Sequence, residues 1–201
     1  MVILLGSYDE RTKRLLYRLR EDIVSEYAGS GHQVYAFLLE GLEVYDLEGG
    51  ATLFLEEFEG GFTAYFFGPG GMLEDVRELR GTIEAALREA ESVYGRKVKW
   101  RVGALDKLRR LIDYPHSLVL VLREVELTRG GEYIELAYLV SRIPSEVVPK
   151  RVWFFKREEI PISTMVKELL TDTGIQFRTY RTEDELVEEV LRVIRHYLKS
   201  C

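Results

Sequence analysis

The sequence predicts an α/β fold: a flavodoxin/Rossmann-like parallel sheet with helices on both faces and an antiparallel β-meander inserted at about residues 32–67. Three observations carry that reading. Toward both ends of the chain, short apolar runs alternate with segments whose apolar residues recur every three or four positions, the pattern of strands followed by amphipathic helices. The run Ser117-Leu118-Val119-Leu120-Val121-Leu122 is apolar without alternation, as a strand covered on both faces must be. Between about 32 and 67 the texture changes to short β-type runs separated by glycines.

Val2 to Leu5 reads as the first strand, ended by Gly6. Ser7-Tyr8-Asp9-Glu10 leads into a helix with Leu15, Leu16, Leu19, Ile23 and Tyr27 on one face, and Gly29-Ser30-Gly31 ends it. Four runs follow: 34–39, 42–47, 51–58 and 62–67. Gly49-Gly50 and Gly60-Gly61 between them mark hairpins, because glycine takes positive φ without steric cost. The first or last of these strands is expected to join the main sheet. Gly68-Pro69-Gly70-Gly71 then breaks the chain. The spacing of Leu73, Val76, Leu79, Ile83, Leu87 and Ala90 predicts one long helix after it.

Lys97 to Val102 reads as a short strand, and Leu105 to Ile112 as a helix stopped by Pro115. Ser117 to Arg123 is the central strand, and the helix after Gly131 carries Ile134, Ala137 and Tyr138. Arg151 to Phe155 is the next strand. Ser163 is placed as the N-cap of a helix bearing Met165, Val166, Leu169 and Leu170. After a last strand, Ile175 to Arg178, Thr182 and Glu185 make a capping box for the closing helix. A single α/β domain over 1–201 is the expectation. Right-handed crossovers favour a flavodoxin-like strand order.

A net charge of −6 argues against a nucleic-acid partner, which usually demands a positive excess. The sole cysteine is Cys201, so no disulfide framework and no cysteine metal site is expected. His32, His116 and His196 lack metal-ligand spacing, and neither a metal nor a cofactor is called for. Met1 to Leu5 is too short for a signal h-region, and no apolar stretch reaches membrane-spanning length. A cytoplasmic protein without membrane contact is therefore expected. The chain has no asparagine and two glutamines, Gln33 and Gln176, beside 31% charged residues, a composition typical of thermophiles.

In an open α/β sheet, ligands bind beyond the carboxyl ends of the strands where the order reverses. If the first and third strands flank that point, the loops Gly6-Ser7-Tyr8-Asp9 and Arg123 to Glu135 converge there, and Lys156 to Ser163 forms a third wall. The ligand-binding candidates are Gly6, Ser7, Tyr8, Asp9, Arg123, Arg129, Gly130, Gly131 and Ser163. Gly6-Ser7 offers a backbone turn and a hydroxyl at a helix start, where free N–H groups attract an anion. It is neither a G-x-G-x-x-G nor a P-loop, and a strand-to-helix turn capped by Ser7 or Asp9 is the favoured account of it. Gly68 to Gly71 is ordinary turn chemistry. The stretch Arg96-Lys97-Val98-Lys99-Trp100-Arg101, with Lys107, Arg109 and Arg110, has the composition of a nucleic-acid track. It also fits a strand edge guarded by lysines and the wet face of a helix.

Gly131, Glu135, Leu136 and Tyr138 follow the pattern glycine, three residues, glutamate, apolar, small, aromatic at a helix start after the third strand. This resembles the nucleoside 2-deoxyribosyltransferase superfamily and, more loosely, the Toll-receptor domains that cleave NAD. In the transferases the segment reads approximately Gly-Thr-Ala-x-Glu-apolar-Gly-x-Ala. Leu4-Leu5-Gly6-Ser7 also looks like that family's first strand and glycine turn. The resemblance covers residues 1–27 and 117–198 and departs at Glu132, Tyr133 and Ala137.

It implies a nucleoside or nucleotide ligand and a nucleophilic role for Glu135. With a carboxylate at the anomeric carbon, a second acid must protonate the leaving base. Glu132 or Asp9 is the candidate for that role, and Arg123 or Arg129 for holding a phosphate. The function expected on this basis is a nucleotide- or nucleoside-binding protein acting as an N-glycosidase or glycosyl transferase. The alternative is a non-catalytic ligand-sensing or interaction module on the same fold, with meander strands that invite pairing in a homodimer.

Overall fold

The computed structural model describes residues 1–7, 9–114, 116–125 and 131–200, with backbone alone for 131 and 132. The candidates Tyr8, Arg129 and Gly130, and the side chain of Glu132, lie outside the described residues. Two compact units divide the chain: Met1–Leu38 with Pro115–Cys201, and Leu39–Tyr114.

The first unit begins with β1 (Val2–Gly6), α1 (Glu10–Tyr27) and β2 (Ala36–Leu38). The chain then builds the inserted unit from β3 (Leu42–Leu47), β4 (Thr52–Phe58), β5 (Gly61–Phe67), β6 (Leu73–Arg80), α2 (Ile83–Tyr94), β7 (Val98–Arg101) and α3 (Ala104–Ile112). It returns with β8 (Leu118–Arg123), α4 (Gly131–Arg142), α5 (Val148–Arg151), β9 (Val152–Arg157), α6 (Thr164–Thr173), β10 (Gln176–Tyr180) and α7 (Glu183–Ser200).

The outer unit holds a parallel five-stranded sheet in the order β10-β9-β8-β1-β2. Counted within that unit the order is 2-1-3-4-5, the flavodoxin-like arrangement the alternating pattern predicts. Helices cover both faces, so β1 and β8 are buried along their whole length, which is why neither sequence alternates. Val2, Leu4, Leu118, Leu120 and Leu122 pack against α1 and α7 through Leu15, Leu19, Ile23, Val190 and Ile194. Ile3, Leu5, Val119 and Val121 are buried on the opposite face, where α4 packs on β1 and β8.

Local signals fix most boundaries. Ser163 Oγ accepts from Val166 N at 3.3 Å as the N-cap of α6. Thr182 Oγ1 accepts from Glu185 N at 3.1 Å, while the Glu185 carboxylate takes the Arg181 N–H at 2.7 Å. The capping box is thus closed one residue outside its usual partner.

The inserted unit is larger than the segment 32–67. Of the four β-type runs expected there, the first supplies β2, which joins the parallel sheet, and the other three become β3, β4 and β5. Its antiparallel sheet has the order β6-β5-β4-β3-β7. Gly60, at φ 90°, turns β4 into β5, a conformation other residues rarely adopt.

The single helix expected over 73–90 is corrected. Residues 73–80 form β6, paired with β5 from Gly61↔Arg80 to Phe67↔Leu73, and α2 starts only at Ile83. Gly68 to Gly71 is the hairpin turn between these strands, with Gly68 N donating to Met72 O at 3.0 Å. Leu73, Val76 and Leu79 mimic helical spacing, but β5 has a free edge and strand pairing there overrides the local period. Gly81, at φ 93°, and Thr82, whose Oγ1 caps Ala85 N, separate strand from helix. The face toward α2 packs Leu53, Leu55, Phe66 and Leu79 against Ala86 and Ala90, with Phe66 stacked on Tyr94 at 4.1 Å.

Most of the basic stretch around 96–110 is tied to this sheet. Arg96 donates to Glu48 O, Arg101 pairs with Glu43, and Arg110 with Trp100 Nε1 converges on Asp46. Those contacts account for Arg96, Arg101 and Arg110 as parts of the fold. Among the described residues no helix is long and apolar enough to cross a membrane.

Candidate functional site

Strand order positions the site. The direction of chain progression reverses between β1 and β8: β2 lies on one side, β9 and β10 on the other. Gly6 and Leu122 are register partners, so the loops leaving β1 and β8 start side by side at the carboxyl edge of the sheet. The next residues, Ser7 and Arg123, are both buried.

Gly6 is a packing requirement. A Cβ there would lie 3.0 Å from both the Leu122 carbonyl oxygen and Thr12 Cγ2, so a larger residue requires α1 or β8 to give by a few tenths of an ångström. Asp9 caps α1: its carboxylate accepts from Arg11 N at 3.1 Å, Thr12 N at 2.9 Å and Thr12 Oγ1 at 2.5 Å. Burial pushes the Asp9 carboxyl up, but hydrogen bonds from Thr12, Ser7 and Arg11 outweigh it and hold the carboxyl below its ordinary value. A proton donor needs the opposite shift. Asp9 is therefore a structural cap and is unsuited to protonating a leaving base.

Arg123 ends β8, with its guanidinium 4.8 Å from the centre of the Tyr133 ring on α4. Two residues further along the helix, Glu135 is 8% exposed, beside the fully buried Leu136. Arg123 pairs in register with Lys156 of β9. Lys156 is held by its own loop, with Nζ donating to the carbonyls of Arg157, Glu158 and Ile160 at 3.0, 2.7 and 2.6 Å. Burial pulls its ammonium below the ordinary lysine value. It fixes the loop expected as the third wall, and Ser163 beyond it is an exposed helix cap.

Sequence reasoning passed over a second polar cluster at this edge. Successive residues of a strand point to opposite faces, so Glu124 turns toward α1 while Arg123 turns toward α4. The Glu124 side chain is 0% exposed. Its Oε1 accepts from Arg157 Nε at 2.8 Å and forms ion pairs with Arg157 Nη2 at 2.7 Å and Arg11 Nε at 2.8 Å. Tyr180 OH donates to Oε2 at 2.5 Å. Burial, followed by the bond to Glu124, pushes the Tyr180 phenol far above its ordinary value, so it stays a donor at all ordinary pH. The bond to Glu124 raises the Arg157 guanidinium against the opposing effect of burial. One signal was available in the sequence: Glu124, Arg157 and Tyr180 all stand at or just beyond the carboxyl ends of neighbouring strands.

The edge therefore presents two chemistries on two faces. The α1 face holds a closed, fully bonded carboxylate. The α4 face places the Arg123 guanidinium against the Tyr133 ring at the end of β8, and Glu135 is buried further along the same helix. No metal-binding group of three or more histidine, cysteine or acidic side chains occurs among the described residues. The fold class is thus an α/β protein with a doubly wound parallel sheet and an inserted antiparallel unit. Comparison with protein-family models, with curated proteins and with solved structures returned no match.

Proposed function

We propose that the parallel-sheet unit binds a nucleoside or nucleotide at the carboxyl ends of β1 and β8 and cleaves or transfers its N-glycosidic bond with Glu135. The observation that carries this reading is the adjacency of β1 and β8 at the order reversal, with Glu135 buried on the helix that follows β8. The Glu135 carboxylate forms a bond to C1′, or stabilises the positive charge developing there, as the bond from C1′ to the base breaks. The departing base must take up a proton. Glu132, in the first turn of the same helix, is assigned that role because Asp9 is held ionised. Arg123 supplies the positive charge for a phosphate. Incubation with nucleosides, nucleotides and NAD should release free base, and Glu135→Gln should abolish the release. Base release undiminished in Glu135→Gln would end the catalytic assignment.

A second reading is a non-catalytic ligand sensor on the same fold. It is favoured by the engagement of Asp9 as a cap and of Arg123 with the protein's own Tyr133. On that reading nucleotides raise the melting temperature, and no substrate turns over.

A further inference from the structure

The amino-terminal edge of the same sheet carries a feature that the proposed function does not use. A groove of about 930 Å³ lies there, within the size range of small-molecule sites. Its walls come from α5, from the beginnings of β9 and β10, and from the last turns of α7. Lys150, Arg151, Arg178 and Arg192 line it, and Glu189 is the one carboxylate among its described lining residues. That is a local positive excess in a chain of net charge −6.

Two ordinary explanations cover part of this charge. Arg192 pairs with Glu189, one turn before it on α7, at 2.5 Å. Arg151 braces the start of β8, with Nε donating to Ser117 O at 2.7 Å. Neither explanation reaches Lys150 or Arg178, which come from α5 and from the edge strand β10. Among the described residues no carboxylate pairs with either. The Arg178 guanidinium stands 5.2 Å from the centre of the Trp153 ring, one strand away. Trp153 and Gln176 are register partners, so the ring and Arg178 share the face turned toward α7. An apolar ring in a groove lined by cations from three separate elements matches a ligand with an organic body and more than one negative charge. A single monovalent anion would leave most of the charge uncompensated.

We propose that this groove is a second ligand site, at the opposite edge of the sheet from Glu135, that takes a small organic polyphosphate through Lys150, Arg178 and Arg192 against Trp153. The test uses the full chain carrying Trp100→Phe, so that Trp153 is the remaining tryptophan, with inorganic tripolyphosphate as the probe. A saturable change in Trp153 fluorescence and a rise in melting temperature are expected. Lys150→Glu and Arg178→Glu should each weaken binding by about tenfold or more, since each turns a charge-assisted contact into repulsion. Both positions are exposed, so folding should survive, and far-ultraviolet circular dichroism checks it. Glu135→Gln should leave the response unchanged, which separates this site from the one at the carboxyl edge. The proposal is overturned if millimolar tripolyphosphate produces no saturable response, or if both charge reversals bind as the parent does. Loss of the response in Glu135→Gln, or tighter binding of a single-stranded oligonucleotide than of tripolyphosphate, would overturn it as well.

Discussion

Removing the Glu124 carboxylate is the sharpest test of how the carboxyl edge of the parallel sheet is held together. The side chain is 0% exposed and that of Arg157 12%, whereas that of Arg11 is 57% exposed. Solvent screening limits the Arg11 pair to about 0–1 kcal/mol. The Arg157 pair is buried, and its loss leaves the Tyr180 hydroxyl without its acceptor and the Arg157 guanidinium with only the Arg181 carbonyl at 2.9 Å and the exposed Glu159 at 3.7 Å. Breaking such a pair costs about 3–5 kcal/mol, so Glu124→Ala should destabilise the outer unit by about that much.

Glu124→Gln keeps the shape and a neutral acceptor, and should cost about 1–3 kcal/mol. Urea unfolding followed by Trp153 fluorescence in a Trp100→Phe background reports on the unit that holds the cluster. With a urea dependence of about 2 kcal/mol/M, the alanine variant should unfold at a midpoint roughly 1.5–2.5 M lower. A control replaces both partners, Glu124→Leu with Arg157→Met, and should restore most of the loss because no charge is then left buried. An alanine variant that loses less than about 1 kcal/mol, or no more than Arg11→Ala does, would refute the assignment of Arg157 as the partner that matters.

Three further outcomes are expected. Asp9→Ala removes the α1 cap and should cost about 1 kcal/mol at neutral pH, measured by urea unfolding. The folded-state pKa of Asp9 is depressed, so its contribution is present above the ordinary carboxylate value and is lost as pH falls through the folded value; parent and variant should converge in acid. Gly6→Ala places a methyl 3.0 Å from a backbone oxygen and should cost about 1–3 kcal/mol by thermal or urea unfolding, against a neutral result if α1 can move aside. Gly81→Ala forces a side chain into φ 93° and should cost about 1–3 kcal/mol, read through Trp100 in the inserted unit; no loss would mean that the β6–α2 junction relaxes freely.

The sequence by itself determined the α/β class and most elements of the outer unit. Its buried strands are long apolar runs, its helices carry one apolar face, and Ser163 and Thr182 announce the starts of α6 and α7. Those signals act over a few residues, so a linear reading recovers them. The β6 segment escaped because Leu73, Val76 and Leu79 satisfy a helical period, and only the open edge of β5 turns them into a strand. At the carboxyl edge, the sequence singled out Glu135 and Arg123 by their place after a central strand. Tertiary structure decided what surrounds them. It sent Glu124 to the opposite face, gave it Arg157, Arg11 and Tyr180 from three other elements, and committed Asp9 to capping α1. Sequence separations of 33 and 56 residues divide Glu124 from Arg157 and Tyr180. Only the packing of parallel strands in one sheet brings such groups within bonding distance, and a local pattern carries no record of that.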